Sequence, residues 1–291
     1  MSNSRAKPSK AELVTDPKTR AEQFEVQARK KQTLMETYIS QGMSAVSEIT
    51  TEIRDFNSLS ESVKDFLIGA VGLSRKSLNH LASETVQQII EDVLPIKEIH
   101  KVEYKELLLK RFLLTAGDAL GGQMRNFVGQ WGEDLFIEAL ISRLNAGKKQ
   151  FHITKTSSGA IGRIATSEQD FYFKKKPKFL DKSVDLIVLM KDGQLNNPQD
   201  YLACGEIKGG IDPAGADEHW KTARSALERI RKAFSDLNLS APYLCFIGAA
   251  IENAMAKELE DLMDIGELNR AANLYKSKQL YDLIDEILDI S

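Results

Sequence analysis

The chain predicts an α/β fold: a mixed sheet between helices, preceded by an all-helical N-terminal region. Three observations carry this. The first hundred residues show helical patterning without β-branched runs. Residues 183–190 and 201–208 are apolar, strand-like runs separated by the turn signal Lys191-Asp192-Gly193, which makes them an antiparallel pair. A helical stretch over about 216–237 then leads into the apolar run 243–250, and strand, helix, strand in that order implies a crossover between parallel neighbours. The expected division is a helical region, 1–105, serving DNA recognition or dimerisation, and a catalytic α/β domain, 106–291.

Bulk properties narrow the class. With 291 residues, 42% hydrophobic and 28% charged, the chain can bury a sizeable core. A net charge of -3 argues against non-specific coating of nucleic acid, although a cleft depends on local charge instead. The polar amino terminus shows no secretory signal, and no apolar run reaches the ~18–20 residues of a membrane span, so a cytoplasmic protein with no membrane partner is expected. Cys204 and Cys245 lie in apolar runs without metal or redox spacing and read as core residues.

Residues 1 to about 20 are polar, carry Pro8 and Pro17, and predict a loose arm. Helical patterns follow over about 20–41, 44–56, 60–71 and 74–93, the last closed by Pro95. They suit a DNA-recognition arm, a dimerisation element or a cap on the core. Residues 106–114 form an apolar helical segment that ends at the glycine-rich run 117–126. That run reads as a turn needing permissive backbone, or as a close backbone approach to a phosphate with Arg125 reaching for it. Residues 126–144 are helical again, with a stripe of Phe127, Leu135, Phe136, Ala139, Leu140 and Leu144. Glu133 stands near that stripe, either a solvated glutamate or an inward-pointing accessory acid placed before the strands. Residues 151–154 and 161–166 lean to β structure. Phe171-Tyr172-Phe173 then meets Lys174-Lys175-Lys176, a cluster that is simply solvated or suits phosphate contacts at a cleft mouth. Asp212-Pro213 reads as a helix start, and the helix buries Trp220, Ala223, Leu227, Ile230 and Phe234. Two amphipathic helices, about 253–263 and 277–290, end the chain.

Asp185 opens one central strand, and Glu206 and Lys208 lie two apart near the end of the next, so those two leave the same face. Two acids and a lysine there can hold a divalent metal and ready a water for attack. Phosphodiester hydrolysis needs an in-line water, neutralised phosphoryl oxygens and help for the leaving oxygen. Mg2+ meets these needs while held by one or two carboxylates. Asp185 and Glu206 supply the carboxylates and the Ile207 carbonyl a further ligand. Lys208 orients the water and stabilises charge, or acts as base. The bland alternative is three charged residues on edge strands, satisfied by one another.

Asp185 with Glu206-Ile207-Lys208, in this order of elements, resembles the PD-(D/E)XK nuclease superfamily, with Val184 where the motif has proline. The segment Gly205-Glu206-Ile207-Lys208-Gly209-Gly210-Ile211-Asp212-Pro213, continuing through His219 to Ala223, further resembles the active-site segment of type II restriction endonucleases of the AvaI and BsoBI kind. The resemblance implies Mg2+ on Asp185 and Glu206, with Lys208 positioning the water. It also implies His219 as an extra active-site base and Asp212 as an acceptor for a cytosine amino group. By themselves these two read as a structural or solvent-facing histidine and a helix cap. A homodimer around double-stranded DNA follows, with a palindromic site matching its twofold axis. So does a 5′ overhang at a degenerate C-Y-C-G-R-G-like sequence. The competing expectations are a structure-specific or repair nuclease of the same superfamily, and a DNA-binding or protein-interaction module on an inactive core.

Overall fold

Helices fill the chain up to residue 146: α1 (Lys10–Leu13), α2 (Pro17–Glu48), α3 (Glu61–Ala70), α4 (Arg75–Leu78), α5 (Ser83–Val93) and α6 (Val102–Ala146). The computed structural model describes residues 5–53 and 56–290. By its contacts the chain forms two compact units, Met1–Phe24 with Phe127–Ser291, and Glu25–Asn126. The second unit is helical and has its own core, in which Ala45, Val63, Phe66, Leu67, Ile90, Ile99 and Leu108 are buried.

Two helices differ from the sequence expectation. α2 runs without a break through residues 41–44, where two helices were expected, and ends at Glu48; Arg54 and Asp55, in the expected second helix, lie outside the described residues. The helix expected over 74–93 is divided into α4 and α5. The largest difference is α6, a single helix of 45 residues that contains the whole glycine-rich run. Neither a turn nor a phosphate-cradling loop forms there. Leu108, Ala116 and Leu120 are buried on one side of the helix, and Phe136, Leu140 and Leu144 are buried four apart beyond the last glycine, so a buried helical stripe holds the chain at either end of the run. Glycine in a helix interior costs about 1 kcal/mol relative to alanine, which packing along such a stripe readily offsets.

The other unit holds the sheet. Its strands are β1 (Phe151–Lys155), β2 (Ile161–Thr166), β3 (Gln169–Lys175), β4 (Val184–Met190), β5 (Tyr201–Lys208), β6 (Tyr243–Gly248) and β7 (Arg270–Asn273), side by side in sequence order. Neighbours from β1 to β5 are antiparallel and joined by short connections. From β5 to β7 they are parallel, because α7 (Pro213–Asp236) and α8 (Asn253–Asp264) carry the chain back across the sheet. One face packs against α7 and α8 through Ile187, Leu189, Cys204, Leu244, Trp220, Ile230 and Leu259. The other packs against α6 and α9 (Ser277–Leu288) through Leu186, Val188, Ile207, Ile247, Phe136, Leu140 and Leu283. This is the expected three-layer α/β arrangement with a mixed sheet. β3 and β7 are strands that the sequence reading did not identify.

Residues 1–4 of the expected loose arm lie outside the described residues, and from residue 5 on the arm is not loose. Leu13 and Thr15 are buried, and the arm's carbonyls satisfy donors that would otherwise be stranded in the core. Arg270, 1% exposed, donates to the carbonyls of Arg5 and Ala6 as well as pairing with Glu286 and Asp282. Gln279 and Lys276 donate to Glu12 O, and Asn273 Nδ2 donates to Leu13 O at 2.9 Å. A polar segment reads as solvated in sequence. Here its backbone is the partner of buried polar side chains, which must be paired.

Candidate active site

β4 and β5 bring the three expected residues together. Antiparallel pairing sets Leu186 against Gly205, which places Asp185 beside the end of β5. Glu206, Lys208 and Asp185 all stand on the face that packs α7, alternating with residues that pack α6. Lys208 Nζ donates to Glu206 Oε2 at 2.6 Å and to Asp185 Oδ2 at 3.1 Å. The same Asp185 Oδ2 accepts the backbone N–H of Ile207 at 3.0 Å. Glu206 is 4% exposed, so its charge is largely desolvated. Burial, and then the neighbouring charge of Asp185, push its carboxyl up to about 7 against the opposing pull of Lys208. For Lys208, burial works to lower the amine, but Glu206 and Asp185 outweigh it and hold the amine above its ordinary value. The lysine is therefore placed as a hydrogen-bond donor to both acidic side chains.

Gly209 and Gly210 follow at once, and their lack of side chains shapes the site. A Cβ on Gly132 of α6 would stand 2.6 Å from Gly209 Cα, and one on Gly209 would strike the carbonyl oxygen of Val128. α6 thus packs backbone to backbone on the chain leaving Lys208. A Cβ on Gly210 would stand 2.8 Å from His219 Nε2, so the imidazole lies over Gly210 at the start of α7, with its residue otherwise exposed. Asp212 is exposed just before the same helix.

Glu133 points inward and is 3% exposed. It belongs to α6, on the face of the sheet opposite α7, and pairs with Lys174 Nζ at 3.0 Å. Lys174 adopts φ 50, and the β3–β4 register passes from Phe173↔Leu186 to Lys175↔Val184 with no pair between Lys174 and Asp185. The kink turns the Lys174 amine to Glu133 and to Gln130 Oε1 at 3.1 Å. Gln130 in turn donates to Glu133 Oε1 at 3.2 Å, a partner the sequence reading missed although it lies one helical turn before the acid. Lys175 extends toward Gly162 on β2, and Lys176 is exposed. Arg125 lies in the helical unit, its guanidinium folded back near Gly121 and Gly122 of its own helix.

Among the described residues no group of three or more His, Cys, Asp or Glu side chains is gathered to hold a metal. The donor set at Asp185 and Glu206 nevertheless fits Mg2+: two hard carboxylate oxygens suffice for an ion that keeps several waters. A buried acid driven toward its protonated form by a neighbouring carboxylate is also a group that a divalent cation would stabilise.

A mixed sheet with helices on both faces, and two acids and a lysine converging at the ends of its central strands, defines a restriction-endonuclease-like core. The family described as Restriction endonuclease BsobI matches residues 5–174 and 179–289, and the chain belongs to it. It is 34% identical over 263 residues to the type II restriction enzyme BsoBI of Geobacillus stearothermophilus, spanning 79% of this chain and 80% of that one. It is 35% identical over 246 residues to the type II restriction enzyme AvaI of a Nostoc species, spanning 76% and 78%.

Proposed function

We propose that the protein is a type II restriction endonuclease that uses Mg2+ to cut both strands of DNA at a palindromic site, acting in the cytoplasm as a homodimer. The observation that carries this reading is the Lys208 ammonium held between Asp185 and Glu206. The names of the relatives support the reaction class. Asp185 and Glu206 hold Mg2+. An extended residue directs its N–H and C=O to the same side, so the Ile207 carbonyl, whose N–H meets Asp185, is a further ligand. When bound, the ion supplies positive charge against the phosphoryl oxygens and acidifies a water. Lys208 orients the attacking water by donation and stabilises negative charge developing on the phosphate. His219, over the glycines beside Lys208, accepts the proton. Glu133 is an accessory acid with Lys174 as its counter-ion. Lys174, Lys175, Lys176 and Arg125 serve phosphates, and Asp212 accepts a hydrogen bond from a base edge.

Digestion of phage DNA with Mg2+, followed by sequencing of the ends, tests the reading. Discrete fragments sharing one palindromic sequence and a 5′ overhang are expected. Cuts confined to junctions or lesions would make the protein a repair nuclease. The absence of cutting with either Mg2+ or Mn2+ would leave a DNA-binding module.

A further inference from the structure

We propose that Thr15 and Asn273 are positioning residues for Lys208, acting through the backbone of Ala249; the proposal rests on the nuclease reading above. Lys208 is the last residue of β5, and two glycines follow it. Its carbonyl accepts the N–H of Ala249 at 2.8 Å, the final rung joining β5 to the chain beyond β6. Ala249 itself belongs to the non-helical segment leading to α8. What fixes that segment is the N-terminal arm. The Thr15 hydroxyl donates to Ala249 O at 2.6 Å and accepts from Ile251 N at 3.0 Å and from Asn273 Nδ2 at 2.7 Å. Thr15 N also donates to Ile251 O at 3.0 Å.

One donor and two acceptor sites are the whole capacity of a hydroxyl, so Thr15 is saturated. Asn273 is held in turn, its Oδ1 accepting Tyr275 N at 3.0 Å and its N–H donating to Gln279 Oε1 at 2.8 Å. Thr15 is 2% exposed, Asn273 0% and Ala249 0%, so water cannot replace a lost partner without reorganisation. Removing the hydroxyl strands the Ile251 N–H, takes the Thr15 donor from Ala249 O and leaves the Asn273 amide with Leu13 O alone, and the segment relaxes to recover partners. Ala249 N moves with it, and the end of β5 follows. Lys208 must reach two carboxylates within hydrogen-bond distance, a geometry in which a shift of about 1 Å costs on the order of 100-fold in rate.

The test is Thr15→Val, which keeps the side-chain shape and removes the hydroxyl, in the full-length protein. Single-turnover cleavage with Mg2+ should fall roughly 10- to 100-fold. Affinity for the same DNA with Ca2+ should stay within about threefold of wild type, because binding does not require a placed lysine. Thr15→Ser should restore the rate, and amide exchange at Ala249 should quicken in Thr15→Val alone. Asn273→Ser probes the same network should Thr15→Val not fold. An unchanged single-turnover rate per folded molecule, with only a lowered Tm, would overturn the proposal. If wild type itself cuts no DNA, the nuclease reading has failed instead, and exchange at Ala249 alone then decides: unchanged exchange rejects the link.

Discussion

Lys208→Ala removes the ammonium shared by Asp185 and Glu206, and cleavage should be abolished while DNA binding without Mg2+ stays largely intact. Loss of binding by a normally folded variant would make the lysine a phosphate contact. Glu206 makes a second prediction, about stability. Its folded carboxyl is raised from 4.5 to about 7, so the folded state binds the proton more tightly than the unfolded chain. Stability of the metal-free protein should therefore decline as pH rises from about 4.5 through 7, by about 3 kcal/mol from this group. Glu206→Gln should flatten that decline in urea titrations at pH 5 and pH 8, and Mg2+ should bind more tightly as pH rises through 7. An unchanged pH profile in the variant would remove Glu206 as its source. Glu206 and Lys208 were legible in sequence as one face because strand alternation puts them there, and the β4–β5 register adds Asp185. Thr15 and the Lys174–Glu133 pair were not, since each acts on a residue distant in sequence or through a backbone kink.

At the scale of the element, α6 separates glycines that are needed from glycines that are merely tolerated. A Cβ at Gly117 or Gly129 meets nothing within 4 Å, so Gly117→Ala and Gly129→Ala should each stabilise by about 0.5–1 kcal/mol. Gly209→Ala drives a methyl into the backbone of α6 and should destabilise by about 1–3 kcal/mol and reduce cleavage. Chemical denaturation of the three variants checks both signs; a neutral Gly209→Ala would mean that α6 moves aside easily. Spacing rules read the glycine-rich run as a break because they weigh local propensity. The buried stripe on both sides of it outweighs that preference. β7, Arg270-Ala271-Ala272-Asn273, had no apolar run to announce it, and all four residues are buried beneath the arm, α8 and α9.

For the whole molecule, the arm is the decisive feature. A fragment beginning at residue 106 retains every candidate catalytic residue but lacks the carbonyls that satisfy Arg270 and Asn273. With each stranded buried donor costing about 1–3 kcal/mol, such a fragment should be insoluble or far less stable than the full chain. Addition of a peptide spanning residues 5–24 should recover part of the loss. A fragment that melts with the full-length protein would show the arm to be dispensable. No helix among the described residues is long and apolar enough to cross a membrane.

Local pattern alone determined the α/β class, the antiparallel Asp and Glu strands, the parallel crossover through α7, and the acid–acid–lysine cluster. All of these follow from alternation and helical periodicity over short spans. Only the tertiary structure decided that α6 is continuous, that the polar N-terminus is part of the core, and that Lys174 turns to Glu133. Those outcomes depend on which distant groups must be buried together, and hydrogen-bond satisfaction in a packed interior is not a property of any one segment.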